Sequence, residues 1–337
     1  MAGRWRVVVP RVVVLGVLGL AAWWFLDRYA VRHQFFDLQV YDGAVHYWVR
    51  DRGQVYDYLK PYSVYGFTYP PFGALTMVPM AYLPWNAVTT LATVGSVAAA
   101  LLILAWFLDP LITRRGWRRW YVIGIFAALA AVFEPLRETV LFGQVNLLLL
   151  AVVSYDALFL VARGRRWGGV LIGLAAAVKL TPEIFIGYLL LTRRWRAAIL
   201  ATVTAAAATV FAVVVTPNAS RVFWTEALWD TNRVGNLASV ANQSLRGTAG
   251  RWDPLHTSTA FWLVLVLVTL AVWVVRAERC RRRGDDVGAY ALTGVVGCLV
   301  SPVTWVHHLV WLLPALLLLV DRAFLALLPP GGAGPGR

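Results

Sequence analysis

The segment FDLQVYDGAVHYWVRDRGQVYDYLKPYSVYGFTYPP, residues 36–71, separates one apolar run from the next. It carries Asp37, Asp42, Asp51 and Asp57 in a chain with only 17 acidic residues among 337. Carboxylates beside apolar spans are costly, and where a membrane protein keeps them they mark chemistry or ion handling. Which of the two applies depends on what surrounds the segment.

Hydrophobic residues make up 60% of the chain and charged residues 14%, whereas soluble domains hold about 45–50% apolar and about 25% charged residues. Apolar runs of span length satisfy their backbone internally, so the expectation is an all-α polytopic membrane protein. The net charge of +14 does not point to nucleic acid, because the arginines fall in short clusters between apolar runs, at residues 4–11, 114–119, 163–166, 193–196 and 276–283. Cytoplasmic loops have this pattern under the positive-inside rule. Residues 1–325 read as a single transmembrane domain, and 326–337 as a flexible Gly/Pro-rich tail.

Placing all five clusters in the cytoplasm requires an even number of crossings between consecutive clusters. The first span, residues 8–29, is interrupted by Arg11 and ends in Trp23-Trp24-Phe25 without a small-residue cleavage site, so it reads as a retained span and not a signal peptide. It leaves residues 36–71 as a long first extracytoplasmic loop. Residues 71–84 are too short and too Pro-rich for a full span and read as a re-entrant or interfacial helix, with 87–108 returning. Further crossings are expected at 120–133, 145–161, 197–215, 260–275, 287–300 and 308–320. Two short arms between Arg166 and Arg193, sharing roughly 26 residues where two spans need about 40, meet at Lys179-Leu180-Thr181-Pro182. The sum is about ten spans with both termini cytoplasmic. Cys280 and Cys298 fall on opposite sides of this map and are not expected to pair.

The same map carries Asp37, Asp42, Arg137, Glu138, Gln144, Asn146, Lys179, Asn242, Arg246, His307 and His308 to the extracytoplasmic face. Polar groups at membrane depth turn toward an interior cavity, which points to one outward-facing site built from loops and helix ends. Asp37 follows two aromatic residues. Such surroundings leave a carboxylate basic enough to take a proton from a sugar hydroxyl; the alternative is a solvated loop residue or a helix cap. Lys179 in an apolar hairpin costs about 2.5–3.5 kcal/mol unless it is paired or wetted. Either a lipid phosphate or Glu183, four residues on, would pair it. His307 and His308 can orient a phosphate or share a proton with a carboxylate, or simply pack among interfacial tryptophans. Arg137, Arg246 and Arg251 can grip phosphate through paired hydrogen bonds or rest against anionic lipid, the preferred reading for Arg251. The five histidines show no metal-ligand spacing and the two cysteines no cluster, so neither a metal nor another cofactor is expected.

Six segments occur in order: Asp37-Leu38-Gln39-Val40-Tyr41, Phe67-Thr68-Tyr69-Pro70-Pro71-Phe72, Gly143-Gln144-Val145-Asn146, Gly173 with Lys179-Leu180-Thr181-Pro182, Asn242-Gln243-Ser244-Leu245, and Ser301-Pro302-Val303-Thr304-Trp305-Val306-His307-His308. Together, over about residues 36–319, they resemble glycosyltransferase family 87, the polyprenol-phosphate-mannose-dependent α-mannosyltransferases of actinobacterial cell envelopes. The resemblance implies a GT-C-type bundle in the cell membrane, a polyprenyl-phosphate-linked mannose donor, and a glycolipid or lipoglycan acceptor at the extracytoplasmic face. It implies Asp37 as catalytic base with a histidine, His307 or His308, assisting. Tyr41, Asp42, Tyr69, Arg137, Gln144, Asn146, Lys179, Asn242 and Arg246 are then the residues expected around the donor phosphate and substrates. A phosphate is already a good leaving group, so one carboxylate acting on the acceptor suffices, unlike the paired carboxylates of glycosidases. The same scaffold could carry arabinofuranose or another lipid-linked sugar. A lipid transporter or flippase would need polar groups near the midplane and access from both faces, and a glycolipid-binding relative without activity is a third alternative.

Overall fold

The computed structural model describes residues 2–31, 33–253 and 258–326. The tail expected at 326–337 lies, from residue 327 on, outside the described residues. In chain order the helices are α1 (Ala2–Tyr29), α2 (Phe36–Val49), α3 (Pro71–Met77), α4 (Trp85–Arg115), α5 (Arg119–Val132), α6 (Glu134–Phe142), α7 (Asn146–Tyr155) and α8 (Val170–Val178). They continue with α9 (Ile184–Leu191), α10 (Trp195–Val215), α11 (Pro217–Val222), α12 (Leu245–Trp252), α13 (Thr259–Arg282), α14 (Asp286–Val300) and α15 (Leu313–Ala326). Among the described residues no β-strand forms, only the isolated bridges Leu59 with Gly66 and Asn242 with Trp305.

Five helical stretches are long and apolar enough to cross a bilayer: Val8–Tyr29, Trp85–Arg115, Trp195–Val215, Thr259–Arg282 and Val306–Ala326. The count becomes six if α6 and the helix that follows it, bent by 115°, form one broken span. The remaining crossings read from the sequence fall on α5, α8, α9 and α14, which have 14, 9, 8 and 15 residues. At 1.5 Å per residue these reach about 12–23 Å, short of a hydrocarbon core of about 30 Å. Sequence hydropathy counts apolar runs, and several of these runs are interrupted by turns. The run 71–84, expected as a re-entrant or interfacial helix, holds α3 and a 3₁₀ turn at Val78–Tyr82.

The residues expected as a long first extracytoplasmic loop include a helix and a core. α2 takes the first 14 of them, and the following stretch packs back over it. Tyr41, Val45, Tyr56, Phe67, Tyr69 and Ala74 are buried together with Phe223 in a core of their own. A larger core joins α4, α7, α8, α9, α14 and α15 through residues such as Ile103, Leu147, Ile172, Phe185, Tyr290 and Leu317. Where α4 ends, Arg114 and Arg115 occupy the last turn and Gly116 turns left-handed at φ 62°, so cations and a permissive glycine meet the orphan carbonyls. Cys280 and Cys298 are both free.

Three local breaks position the site. Gly143 ends α6 at φ 70°, and a Cβ built there would lie 2.6 Å from Leu38 Cβ. Only glycine fits that conformation and that approach of α6 to α2. α8 stops at Lys179, whose backbone is extended at φ −148° and ψ 133°, and Pro182 follows in a 3₁₀ turn. Gly73 brings α3 onto the end of α8, with its would-be Cβ 2.4 Å from the Val178 carbonyl oxygen.

Candidate active site

α2, the Phe67–Tyr69 stretch, the α6–α7 bend, the end of α8 and the start of the last helical stretch converge on a cavity of about 1200 Å³. That exceeds the roughly 300–1000 Å³ of ordinary small-ligand pockets. Asp37, Tyr69, Gln144, Lys179, His307 and His308 all line it.

Gln144 is the hub. Its Nε2 donates to Asp37 Oδ2 at 2.7 Å, and its Oε1 accepts from Tyr69 Oη at 2.7 Å and from Lys179 Nζ at 3.4 Å. With an acceptor needed on one side and a donor on the other, only this amide orientation satisfies every partner. Because the Tyr69 proton goes to Gln144, Tyr41 must supply the one in the 2.9 Å Tyr41–Tyr69 contact. Tyr69 is held in turn by Tyr56, which donates to its backbone carbonyl at 2.8 Å.

Lys179 Nζ donates to Asn146 Oδ1 at 2.7 Å and to Tyr69 Oη at 3.0 Å, and lies 4.8 Å from the Tyr69 ring centroid. No carboxylate of the described residues lies within 4.0 Å of it, so the pairing with Glu183 allowed by sequence spacing does not form. The ammonium is enclosed by neutral oxygens and retains its capacity for an anion.

Asp37 has a side chain 19% exposed, with His307 Nε2 at 3.9 Å. Burial outweighs the Gln144 hydrogen bond and the Lys179 charge, pushing its carboxyl from the usual 3.8 up to about 6. It is therefore ionised at neutral pH yet a stronger base than a solvated carboxylate. The His307 backbone carbonyl accepts from Thr139 Oγ1 at 2.7 Å and from Asn146 Nδ2 at 3.2 Å, which ties the last helical stretch to α6 and α7. His308 Nδ1 accepts from the Trp305 backbone N–H at 3.2 Å. Its Nε2 lies 3.5 Å from Lys179 Nζ. Lys179 and His308 line the cavity side by side, and the ammonium there suits an oxyanion.

Eight of the sequence-derived residues thus meet: Asp37, Tyr41, Tyr69, Gln144, Asn146, Lys179, His307 and His308. Four do not join them. Asp42 lies further along α2 with its carboxylate 3.5 Å from His46 Nδ1. Arg137 is turned to Glu138 at 3.3 Å and Glu134 at 4.0 Å and does not line the cavity. Arg246 lies over the Trp262 ring at 5.4 Å. Asn242 is scaffold: its Oδ1 accepts from the Thr304 N–H at 2.9 Å and its Nδ2 donates to the Leu237 and Pro302 carbonyls. Arg251 donates to the Ser239 and Asn242 carbonyls.

Sequence reasoning gave no site role to the contact of His33 Nε2 with the Glu138 carboxylate at the cavity wall, or to Arg233, which bonds to Asp230 at 3.1 Å and to the Tyr56 carbonyl. The partners in each arrangement are too far apart in sequence, or too plain in composition, to signal it. Among the described residues no three His, Cys, Asp or Glu side chains gather closely enough to hold a metal ion.

A model of glycosyltransferase family 87 matches residues 67–302. The chain is 34% identical to the polyprenol-phosphate-mannose-dependent alpha-(1-2)-phosphatidylinositol pentamannoside mannosyltransferase of Mycolicibacterium smegmatis, over 97% of this chain and 78% of that one. It is 31% identical to the polyprenol-phosphate-mannose-dependent alpha-(1-2)-phosphatidylinositol mannoside mannosyltransferase of Mycobacterium tuberculosis, over 90% and 73% of the two chains. An alpha-(1->3)-arabinofuranosyltransferase of Corynebacterium glutamicum is 27% identical, over 83% and 68%. No solved structure matches the chain.

Proposed function

Because this chain belongs to glycosyltransferase family 87 and is a membrane glycosyltransferase, we propose that it transfers mannose from a polyprenyl-phosphate donor to a phosphatidylinositol-mannoside-like glycolipid, with Asp37 as general base. The observation that carries this reading is the carboxylate of Asp37, fixed by Gln144 at 2.7 Å at the wall of a cavity whose neighbouring wall presents Lys179 and His308. The reaction face is the extracytoplasmic one, supported by the arginine clusters that the sequence assigns to the other side. The short helices α5, α8, α9 and α14 complete the expected ten crossings where the bilayer is thinned around them.

Asp37 takes the proton of an acceptor hydroxyl as that oxygen bonds to the anomeric carbon. The bond from the anomeric carbon to the phosphate oxygen breaks, and its electron pair leaves with the phosphate. Attack opposite the leaving group inverts the centre, so a β-linked donor gives an α product. Lys179 Nζ, with His308 beside it, meets the charge growing on the departing phosphate, and such a preorganised donor is worth about 10²–10³ in rate. No step requires a metal or cofactor on this reading.

The test is transfer of labelled mannose from polyprenyl-phosphate-mannose to phosphatidylinositol mannosides by membranes carrying the wild-type chain, Asp37→Asn or Asp42→Asn. Asp37→Asn is expected to lose about 10³-fold in turnover, within the range of general-base contributions, while still binding donor. Asp42→Asn should lose far less, within about threefold, because Asp42 lies outside the hydrogen-bonded cluster around Gln144 and faces His46. Equal losses in the two variants would remove Asp37 from its role. The arabinofuranosyltransferase relative supports a second reading, transfer of arabinofuranose by the same residues. Label entering product only from a polyprenyl-phosphate-arabinose donor would select it, and no label from either donor would favour a binding or transport role.

A further inference from the structure

The far end of α8 from Lys179 carries a second cavity, of about 280 Å³, lined by Arg165, Arg193, Arg194 and Arg196 with Gly164, Gly168 and Trp195. Two turns that the sequence shows only as separate basic clusters are built against one another here. Gly169 sits at φ 103°, and a Cβ on it would lie 2.1 Å from the Ala197 carbonyl oxygen, so the backbones touch where only glycine allows it. Arg196 donates across the contact to the Arg166 carbonyl at 2.9 Å. Beneath them the Asp156 carboxylate is occupied by the backbone N–H groups of Gly169 at 2.8 Å and Ile172 at 2.9 Å.

The charges lining this recess are poorly matched. Arg194 pairs with Asp286 at 2.5 Å, and nearby Arg163 and Arg166 rest over the Phe159 and Trp167 rings at 5.0 and 5.2 Å. Among the described residues neither Arg165 nor Arg193 has a carboxylate partner, and Arg193 holds a left-handed backbone at φ 58°, an uncommon conformation for a residue with a side chain. Arginines that line one recess with a single carboxylate partner among them favour an anion with several acceptor oxygens. A free phosphate or a lipid headgroup would supply the same chemistry.

The surface next to the recess distinguishes these sources. Trp195, Ile199 and Val203, four residues apart along α10, are 58%, 63% and 58% exposed and form an apolar stripe leading away from the arginines. A free anion makes no use of the stripe, whereas an acyl chain lies along it while tryptophan marks the headgroup level. We propose that this recess binds the phosphate of an anionic phospholipid whose chain lies along α10, as basic pockets between membrane helices do for acidic headgroups.

The full chain, purified in an uncharged detergent, tests this by lipid retention in native mass spectrometry and by the thermal midpoint during titration. The probes are phosphatidylglycerol, phosphatidylcholine and inorganic phosphate, with wild type, the double variant Arg165→Gln/Arg193→Gln and the charge-keeping Arg165→Lys/Arg193→Lys. Phosphatidylglycerol is expected to be retained and to raise the midpoint. The Gln pair should weaken it about tenfold, about 1.4 kcal/mol, and the Lys pair should keep most of the affinity, which separates lost charge from lost folding. Equal binding by wild type and the Gln pair, or equal affinity for phosphatidylcholine, overturns the site. An identical midpoint shift from inorganic phosphate at the same phosphate concentration overturns the lipid assignment. No sugar transfer enters the readout, so the outcome is independent of the proposed reaction.

Discussion

At its C-terminal end α8 hands the chain to Lys179, a buried ammonium encircled by oxygens of Tyr69, Gln144 and Asn146. At its N-terminal end, nine residues away and so about 14 Å along the axis, the chain turns beside exposed arginines that mostly lack an acidic partner. The buried end spends several neutral acceptors on one cation, and the exposed end crowds cations around few acceptors. In the first case each partner fixes the position of the next, so the arrangement is geometrically exacting. In the second, water screens the charges and each can be exchanged at little cost. Two basic sites on one short helix therefore differ in how they should respond to substitution.

The contrast would break first at Lys179. Lys179→Gln is expected to lower kcat about 10³-fold with little change in stability, since the oxygens around it can still be hydrogen-bonded; a loss under tenfold would show that the ammonium does not meet developing charge. Gln144→Leu should cost about 10²-fold and also change the pH profile. Asp37 acts as base only when ionised, so wild-type activity should fall about tenfold per unit as the pH drops below about 6. Gln144 lowers that pKa, and removing it should move the acid limb to higher pH; a limb unmoved in Gln144→Leu would detach the carboxylate from this profile. The smallest effect on chemistry belongs to Asn242→Ala, which should cost about 1–3 kcal/mol of stability through the orphaned Thr304 N–H and the loss of its bonds to the Leu237 and Pro302 carbonyls, the latter still held by Ser244. The folded fraction should keep its kcat, measured by thermal melting alongside single-turnover transfer.

The polar residues that the structure brings together share a property: Asp37, Gln144, Asn146, Lys179 and the histidine pair lie within or at the edge of apolar runs. Burying them without purpose is costly, so they stand out against composition. Arg137 and Arg246 stand out in the same way, but what they meet is not written in their spacing. Arg137 turns to the adjacent Glu138, and Arg246 to Trp262, which is not in the same helix. Asn242 fell within a recognisable motif, yet its side chain serves backbone groups near Pro302. The helix count was less legible, because hydropathy measures how apolar a run is and is blind to the turn that shortens it. Left-handed glycines stand at such turns, and their partners, Leu38 for Gly143 and Ala197 for Gly169, emerge only in three dimensions.

Gly143 sets a clearance as well as a turn. Its Cα stands so near Leu38 that one methyl would have to displace α2, and Leu38 is the residue after Asp37. The separation between the carboxylate and its amide partner is thus gauged by backbone contact, with side-chain preference playing a minor part. A substitution at Gly143 would act on the reaction as a spacer inserted in a hinge, altering a distance while leaving every charge and hydrogen-bonding group in the cavity chemically unchanged.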